Sequence, residues 1–498
     1  MKKNQIQKNA RNAKYHQAIG AALSIVLSGT AAAADWKFTA GVGASETYTD
    51  NVGLTSSNNK QSDFITSITP TIGVKKAGAR LKVDAQYSLE NLFYAQDSAR
   101  NKLYHHLNAH ANAELLEREL FLDAAASITQ AAISPLGASG TDNRNATNNI
   151  TNVRTFSLSP YWLHRFGTTA ALNVRDTISS INNGASSISN STNNTLSAGL
   201  ASGSAFGRVS WGLNYSQQHA SYQDRPNVTL TTTSASLGYL LTPRMRLTGT
   251  VGNESNQFAT DTGTAPGGTF WNTTASWSPS VRTSIDLGYG HHYYGNAWNF
   301  AFKTRGPHST WTADYNEGLN TSNNQSASGV LGATSTQLPI AYNQNILTNQ
   351  VFLSKRFNTA FTWTKGKSDF SLSAFHSRQT TQINGNRSTL LTVGSSTLIN
   401  QNDIFLSTND VNQVGANGSW SWKFNPRISS NVSLGVIRSS YSDLNRTDTT
   451  STVQLGLNRQ FSSDLTGSVS LRHQARSSDQ NASDFTENSL SGTVNYKF

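Results

Sequence analysis

From residue 36 onward, stretch after stretch of this chain places an apolar side chain at every second position. In "ARLKVDAQYSLE", Leu81, Val83, Ala85, Tyr87 and Leu89 share one face, and Lys82, Asp84, Gln86, Ser88 and Glu90 share the other. "HHLNAHANAELL" sets Leu107, Ala109, Ala111, Ala113 and Leu115 against His106, Asn108, His110, Asn112 and Glu114. The same alternation runs through Trp36–Ala44, Val209–Tyr215, Ile285–Tyr289 and Val414–Phe424. A sustained period of two predicts β-strand, because successive side chains of an extended chain point to opposite sides.

Connections between these strands come in two sizes. Tight ones fall at Lys76–Ala79, Thr242–Arg244, Ser278–Ser280, Asn425–Arg427 and Ser462–Asp464, and long polar ones lie around 133–152, 182–192, 319–345 and 382–409. Short and long alternate, which is the order of an up-and-down meander of similar hairpins rather than a solenoid. Counting gives about 22 strands (roughly 18–24), and an even number leaves both termini on the short-turn side. The stretch 345–375 is the least regular, since its alternation slips around Phe357 and Thr359.

Every apolar face must be covered, yet the opposite faces are too polar to fill a sandwich core. Of 498 residues, 36% are hydrophobic and 13% charged; the balance is dominated by uncharged polar residues and Gly. If lipid covers the apolar face, no backbone group can be left unpaired, so the sheet must close on itself. The mean hydropathy of −0.44 excludes a bundle of membrane helices, each of which needs about 20 consecutive apolar residues. Aromatic residues sit near strand ends as the girdles of a membrane barrel do: Trp162, Trp277, Trp420 and Trp422 beside short turns, and Tyr289, Tyr293 and Tyr294 beside a long loop. The expected fold is all-β: a single-chain transmembrane antiparallel up-and-down β-barrel with short periplasmic turns and long extracellular loops. Its expected place is the cell outer membrane of a diderm (Gram-negative) bacterium.

Residues 1–34 read as a signal peptide and 35–498 as the barrel. Lys2, Lys3, Lys8, Arg11 and Lys14 precede the apolar run "AIGAALSIVLSGTAAAA", the charge, apolar core and small-residue cleavage site of an exported protein. Its removal leaves 34 basic residues against 28 acidic, a net charge of +6 in place of +11. The basicity is thus partly a targeting feature and implies no nucleic-acid partner. The absence of Cys excludes a thiolate metal site or covalently attached haem. The strand pattern begins at the cleavage site, which disfavours an N-terminal plug domain, a TonB-dependent transporter or an autotransporter.

Three framework segments carry a resemblance. "ETYTDNVGLT" (Glu46–Thr55), the hairpin "SDFITSITPTIGVKKAGARLKVDAQYSLENLFYA" and the following "NKLYHHLNAHANAELLERELFLDAAASIT" resemble the outer-membrane β-barrel family associated with the PEP-CTERM/exosortase system. The resemblance spans most of the mature chain and is strongest over about residues 36–130. It implies an outer-membrane barrel in exopolysaccharide-making bacteria, with a link to export of surface polysaccharide or sorted proteins; no catalytic residue carries over. The closing "NYKF" resembles the C-terminal signal read by the barrel-assembly machinery, with Tyr496 and Phe498 as its aromatic positions.

By parity the lumen receives mostly Ser, Thr, Asn and Gln, with scattered charges at Lys82, Asp84, Glu90, His106, His110, Glu114, Asp123, Arg175, Asp286, Arg472 and Arg476. Such a wall holds water and passes neutral polar solutes, carbohydrate among them, and a barrel this wide leaves an aqueous channel unless something fills it. The loops 319–345 and 382–409 are the candidates to fold inward. The charges equally suit a salt-bridge network that stiffens the wall. The expected function is a porin-like conduit for polar solutes or surface exopolysaccharide, with a scaffold or sheath for a periplasmic or surface partner as the alternative. An enzyme is disfavoured. His106 and His110 lie about 13 Å apart along a strand and cannot share an ion, and His291 and His292 point to opposite faces and suit a girdle. No cofactor or metal site is expected.

Overall fold

The computed structural model describes residues 36–185, 188–223, 226–258, 266–321, 348, 350–382, 405, 408–480 and 483–498. The segment 1–34 expected to be a signal peptide, and most of the loops 319–345 and 382–409, lie outside the described residues. The first strands are β1 (Trp36–Thr49), β2 (Asp63–Ala77), β3 (Leu81–Tyr94), β4 (Lys102–Leu116), β5 (Leu120–Ala132), β6 (Ile150–Phe166) and β7 (Ala170–Asn183). They continue as β8 (Ser191–Ser202), β9 (Val209–Tyr222), β10 (Val228–Thr242), β11 (Met245–Gln257), β12 (Gly267–Ser280), β13 (Thr283–His292), β14 (Gly295–Arg305) and β15 (Ser309–Asn320). The last are β16 (Phe352–Lys365), β17 (Ser368–Thr381), β18 (Asp410–Asn425), β19 (Ile428–Tyr441), β20 (Arg446–Gln460), β21 (Leu465–Ser478) and β22 (Phe485–Lys497).

The described residues form one 22-stranded antiparallel sheet. Each strand pairs with its chain neighbours, and β1 pairs with β22 from Gly41↔Lys497 to Thr49↔Ser489, so the sheet closes and leaves no edge. The fold is the barrel that the alternation predicts. Even the irregular stretch keeps register: β15 and β16 pair without interruption from Ser309↔Trp363 to Asn320↔Phe352. One turn falls later than its proline suggests. Pro279 lies inside β12, where the register shifts between Trp277 and Ser280, and the chain reverses at 281–282. Proline lacks an N–H and is accommodated at such a bulge. Between β16 and β17 the turn is made by Gly366 at φ +60° and Lys367, a left-handed conformation that favours glycine.

The two faces of the sheet differ as lipid and water require. Large apolar side chains are exposed on the outer face, among them Leu237 and Val251 at 62% each. On β22 they run from Leu490 through Val494 and Tyr496 to Phe498. That run is about 26 Å along the strand, or about 20 Å along the barrel axis at a tilt of about 40°. Tyr496 and Phe498 meet edge to face at 5.1 Å, and the Phe498 N–H donates to the Ala40 carbonyl across the closure at 2.9 Å. The inner face is buried toward the long-loop, extracellular end and exposed toward the short-turn end. On β22, Glu487, Ser489 and Ser491 are buried while Asn495 and Lys497 are exposed; on β1, Ser45, Thr47 and Thr49 are buried while Lys37 and Thr39 are exposed. Something fills the upper lumen.

Candidate lumen site

Part of that filling is the β5–β6 connection, residues 133–149. Its neck is tied by Ile133 N–H to the Asn149 carbonyl (2.9 Å), while the Asn149 side chain accepts from Ser134 N–H (2.9 Å) and donates to the Ser134 carbonyl (2.8 Å). From there the segment crosses to the far side of the closure. Arg476 on β21 donates to the carbonyls of Gly137 (2.7 Å) and Leu136 (3.1 Å), Arg446 on β20 to Leu136 (2.9 Å), and Gln474 to Ser139 (3.1 Å). Arg472 reaches Thr141 Oγ1 and Asp142 Oδ2 at 2.7 Å each and Asn145 Oδ1 at 3.2 Å. Returning, the segment bonds through Ala146 N–H to the Val52 carbonyl (2.8 Å), and its Arg144 carbonyl accepts from Tyr94 (2.9 Å). Two apolar contacts help: Leu136 packs on Phe352, Val411 and Tyr441, and Ala146 on Val52, Ile65, Leu92 and Tyr94. The loop's contacts therefore run from the cluster on β16, β18 and β19 through β20 and β21 and past the closure to β3.

Its charges are paired where they are buried. Arg472 (8% exposed) faces Asp142 and the fully buried Glu487 of β22, and Asp448 accepts from both Arg446 and Arg476. Planar guanidinium groups suit this work, since one fork can hold a carboxylate and loop carbonyls together. Burial pushes the Asp142 carboxyl up, but Arg472 and Arg144 outweigh it and hold the group at about 2.

Of the residues singled out by parity, some meet and others stand apart. Arg472 and Arg476 bind the loop. Glu90 accepts from His106 Nε2 (3.1 Å) and from Asn143 of the loop (2.9 Å). Asp123 bridges Asn112 (2.5 Å) and Arg175 (2.8 Å), and Arg175 lies 3.9 Å over the Tyr161 ring. Asp84 pairs with Lys75 at 3.0 Å on an exposed patch, with His110 as its register partner on β4. Lys82 stands opposite Asn112, Asp286 opposite Ser276 and Ala301, and Glu114 accepts from Arg118 N–H at the β4–β5 turn. No group of three metal-ligating side chains occurs among the described residues. Sequence reasoning missed Asp142, Arg446, Asp448 and Glu487. Glu487 was open to parity, but β22 begins at Phe485, slightly earlier than the alternation suggests. Asp142 lies in a loop, where no periodicity marks it.

A second cluster lies on the opposite arc. His292 donates from Nδ1 to Glu254 Oε1 at 2.8 Å, and its ring stacks between Phe270 (4.9 Å, 11°) and Tyr294 (5.0 Å, 4°). Glu254, Phe270 and His292 share the strand face opposite Val251, Trp271 and His291. His292 thus belongs to the lumen side instead of a girdle, while His291 faces outward and bonds Asn296 at 2.8 Å.

No protein-family model and no curated protein matches the sequence. Solved structures do match by shape. The FrpB iron transporter from Neisseria meningitidis (F3-3 variant) is 10% identical, with 93% of this chain and 82% of that chain covered at a TM-score of 0.51. The siderophore receptor PirA from Pseudomonas aeruginosa is 8% identical over 93% of this chain and 80% of its own, with a TM-score of 0.46. The outer membrane protein OpdK from the same organism is 11% identical over 93% and 99%, with a TM-score of 0.37. At such identities the likeness is one of fold. A closed barrel with an apolar outer band has one home. The chain is an outer-membrane β-barrel.

Proposed function

We propose that this barrel is a non-enzymatic, porin-like conduit for neutral polar solutes, narrowed near its extracellular end by residues 133–149. The observation that carries this reading is the docked loop: a wide barrel with a polar inner face, exposed at the periplasmic end, whose upper lumen is crossed by a segment held through Arg472 and Arg476. The resemblance to barrels of the PEP-CTERM/exosortase system makes surface exopolysaccharide the first solute class to try. In planar bilayers the purified protein should give stepwise conductance. Arg472→Ala, or deletion of 136–146, should raise the unit conductance several-fold by freeing the loop. Equal conductance in all three would remove the loop from the path. Silence in all three would sink the conduit and leave the scaffold, which a stoichiometric periplasmic partner on co-purification would then identify.

A further inference from the structure

The cluster around Glu254 leaves two hydrogen-bonding atoms unused. Glu254 spends Oε1 on His292, while its Oε2 and the Tyr293 hydroxyl are both buried with no hydrogen-bond partner among the described residues. Tyr293 lies in the β13–β14 turn, where burial first and the nearby Glu254 charge second push its phenol up, so it stays a donor. A buried acceptor and a buried donor left unmade are each costly. A hydroxyl group, which donates and accepts at once, complements both.

The neighbouring side chains are aromatic. Phe270, His292 and Tyr294 form a column of near-parallel rings, and Tyr293 meets Tyr294 edge to face at 5.3 Å. Phe270 lies flat across β11 because its partner there is Gly252, where a Cβ would come within 2.5 Å of the ring. Glu254 stands opposite Gly268 on β12, so no side chain blocks its path to His292 on β13. Aromatic faces beside paired donors and acceptors fix orientation in ligand sites. Among the described residues, the hydrogen bonds and apolar contacts of the 133–149 loop fall on strands other than β11 to β13, so the cluster lies apart from the docked loop.

We infer that Glu254, Tyr293 and the Phe270–His292–Tyr294 column form a binding subsite for a neutral sugar, with one sugar hydroxyl bridging Glu254 Oε2 and the Tyr293 phenol. This rests on the conduit reading for its purpose, but its test does not. The full-length protein in detergent micelles is titrated with neutral hexasaccharides (maltohexaose, cellohexaose, chitohexaose), with glutamate as an anionic control, and binding is followed by calorimetry. At least one sugar should bind saturably and glutamate should not. Tyr293→Phe and Glu254→Gln should each raise Kd about tenfold or more while still migrating as folded barrels on unheated gels. No sugar binding, or Kd within about twofold in both variants, would overturn the subsite and leave a bridging water as the occupant. Binding without bilayer conductance would keep the subsite and remove the conduit; conductance without binding would do the reverse.

Discussion

Arg472 joins two separate parts of the molecule with one guanidinium: the loop at Thr141, Asp142 and Asn145, and strand β22 at Glu487. Such a buried, paired charge specifies geometry more than it adds net stability, and breaking it by removing one partner costs about 3–5 kcal/mol. Asp142 makes the docking pH-dependent in a defined window. Its carboxyl sits at about 2 when docked, against the ordinary 3.8. The docked value is the lower one, so the carboxylate supports docking fully above 3.8, and that support is lost as pH falls through about 2. Amide exchange of residues 136–146, corrected for its intrinsic pH dependence, should be flat from about pH 8 to about pH 5 and should accelerate only below about pH 4. A loosening between about pH 5 and pH 8 would assign the control of the loop to another group.

At the scale of single elements, β16 shows how a strand survives a break in its own pattern. Phe357, Phe361 and Trp363 keep the outer face apolar, but Thr359 puts a hydroxyl among them. That hydroxyl accepts from Trp311 Nε1 at 2.9 Å and donates to the Thr312 carbonyl at 3.0 Å, so neither the indole nor the threonine meets lipid unpaired. Thr359→Val keeps the shape and strands the indole N–H. It should lower barrel stability by about 1–3 kcal/mol, read as an earlier urea midpoint in the folded-to-unfolded gel shift; an unchanged midpoint would mean that water already serves the indole. The strands were legible because lipid on one side and water on the other impose a period of two on the sequence itself. The loop 133–149 was not, because its order comes from backbone carbonyls accepting from Arg446 and Arg476 and from side-chain oxygens accepting from Arg472, partners more than 300 positions away. His292 was misread for a related reason: its alternation marks a face correctly, but only the glycines at 252 and 268 on neighbouring strands let Phe270 and Glu254 reach it.

For the whole molecule, everything depends on closure, since an open sheet would expose a row of unpaired backbone groups to lipid. The β1–β22 ladder spans nine register pairs, fewer than the fourteen between β1 and β2, so the closing seam is a short one. It is reinforced from inside, where Thr47 and Ser491 are register partners whose hydroxyls lie 2.8 Å apart and Thr49 donates to Glu487 at 2.8 Å. Glu487 in turn accepts from Arg472, so the seam and the docked loop are tied to the same carboxylate, the loop through Arg472. The register can be tested directly because the chain has no cysteine. Antiparallel partners have Cα atoms about 4.5–5.5 Å apart, within reach of a disulfide. Thr47→Cys with Ser491→Cys should therefore cross-link within one chain under mild oxidant and hold the barrel in its fast-migrating form on heating. The offset pair, Thr47→Cys with Ser489→Cys, should not. Cross-linking of the offset pair alone would mean that β22 closes the sheet two residues out of register, with Glu487 directly opposite Thr49 in place of Ser489.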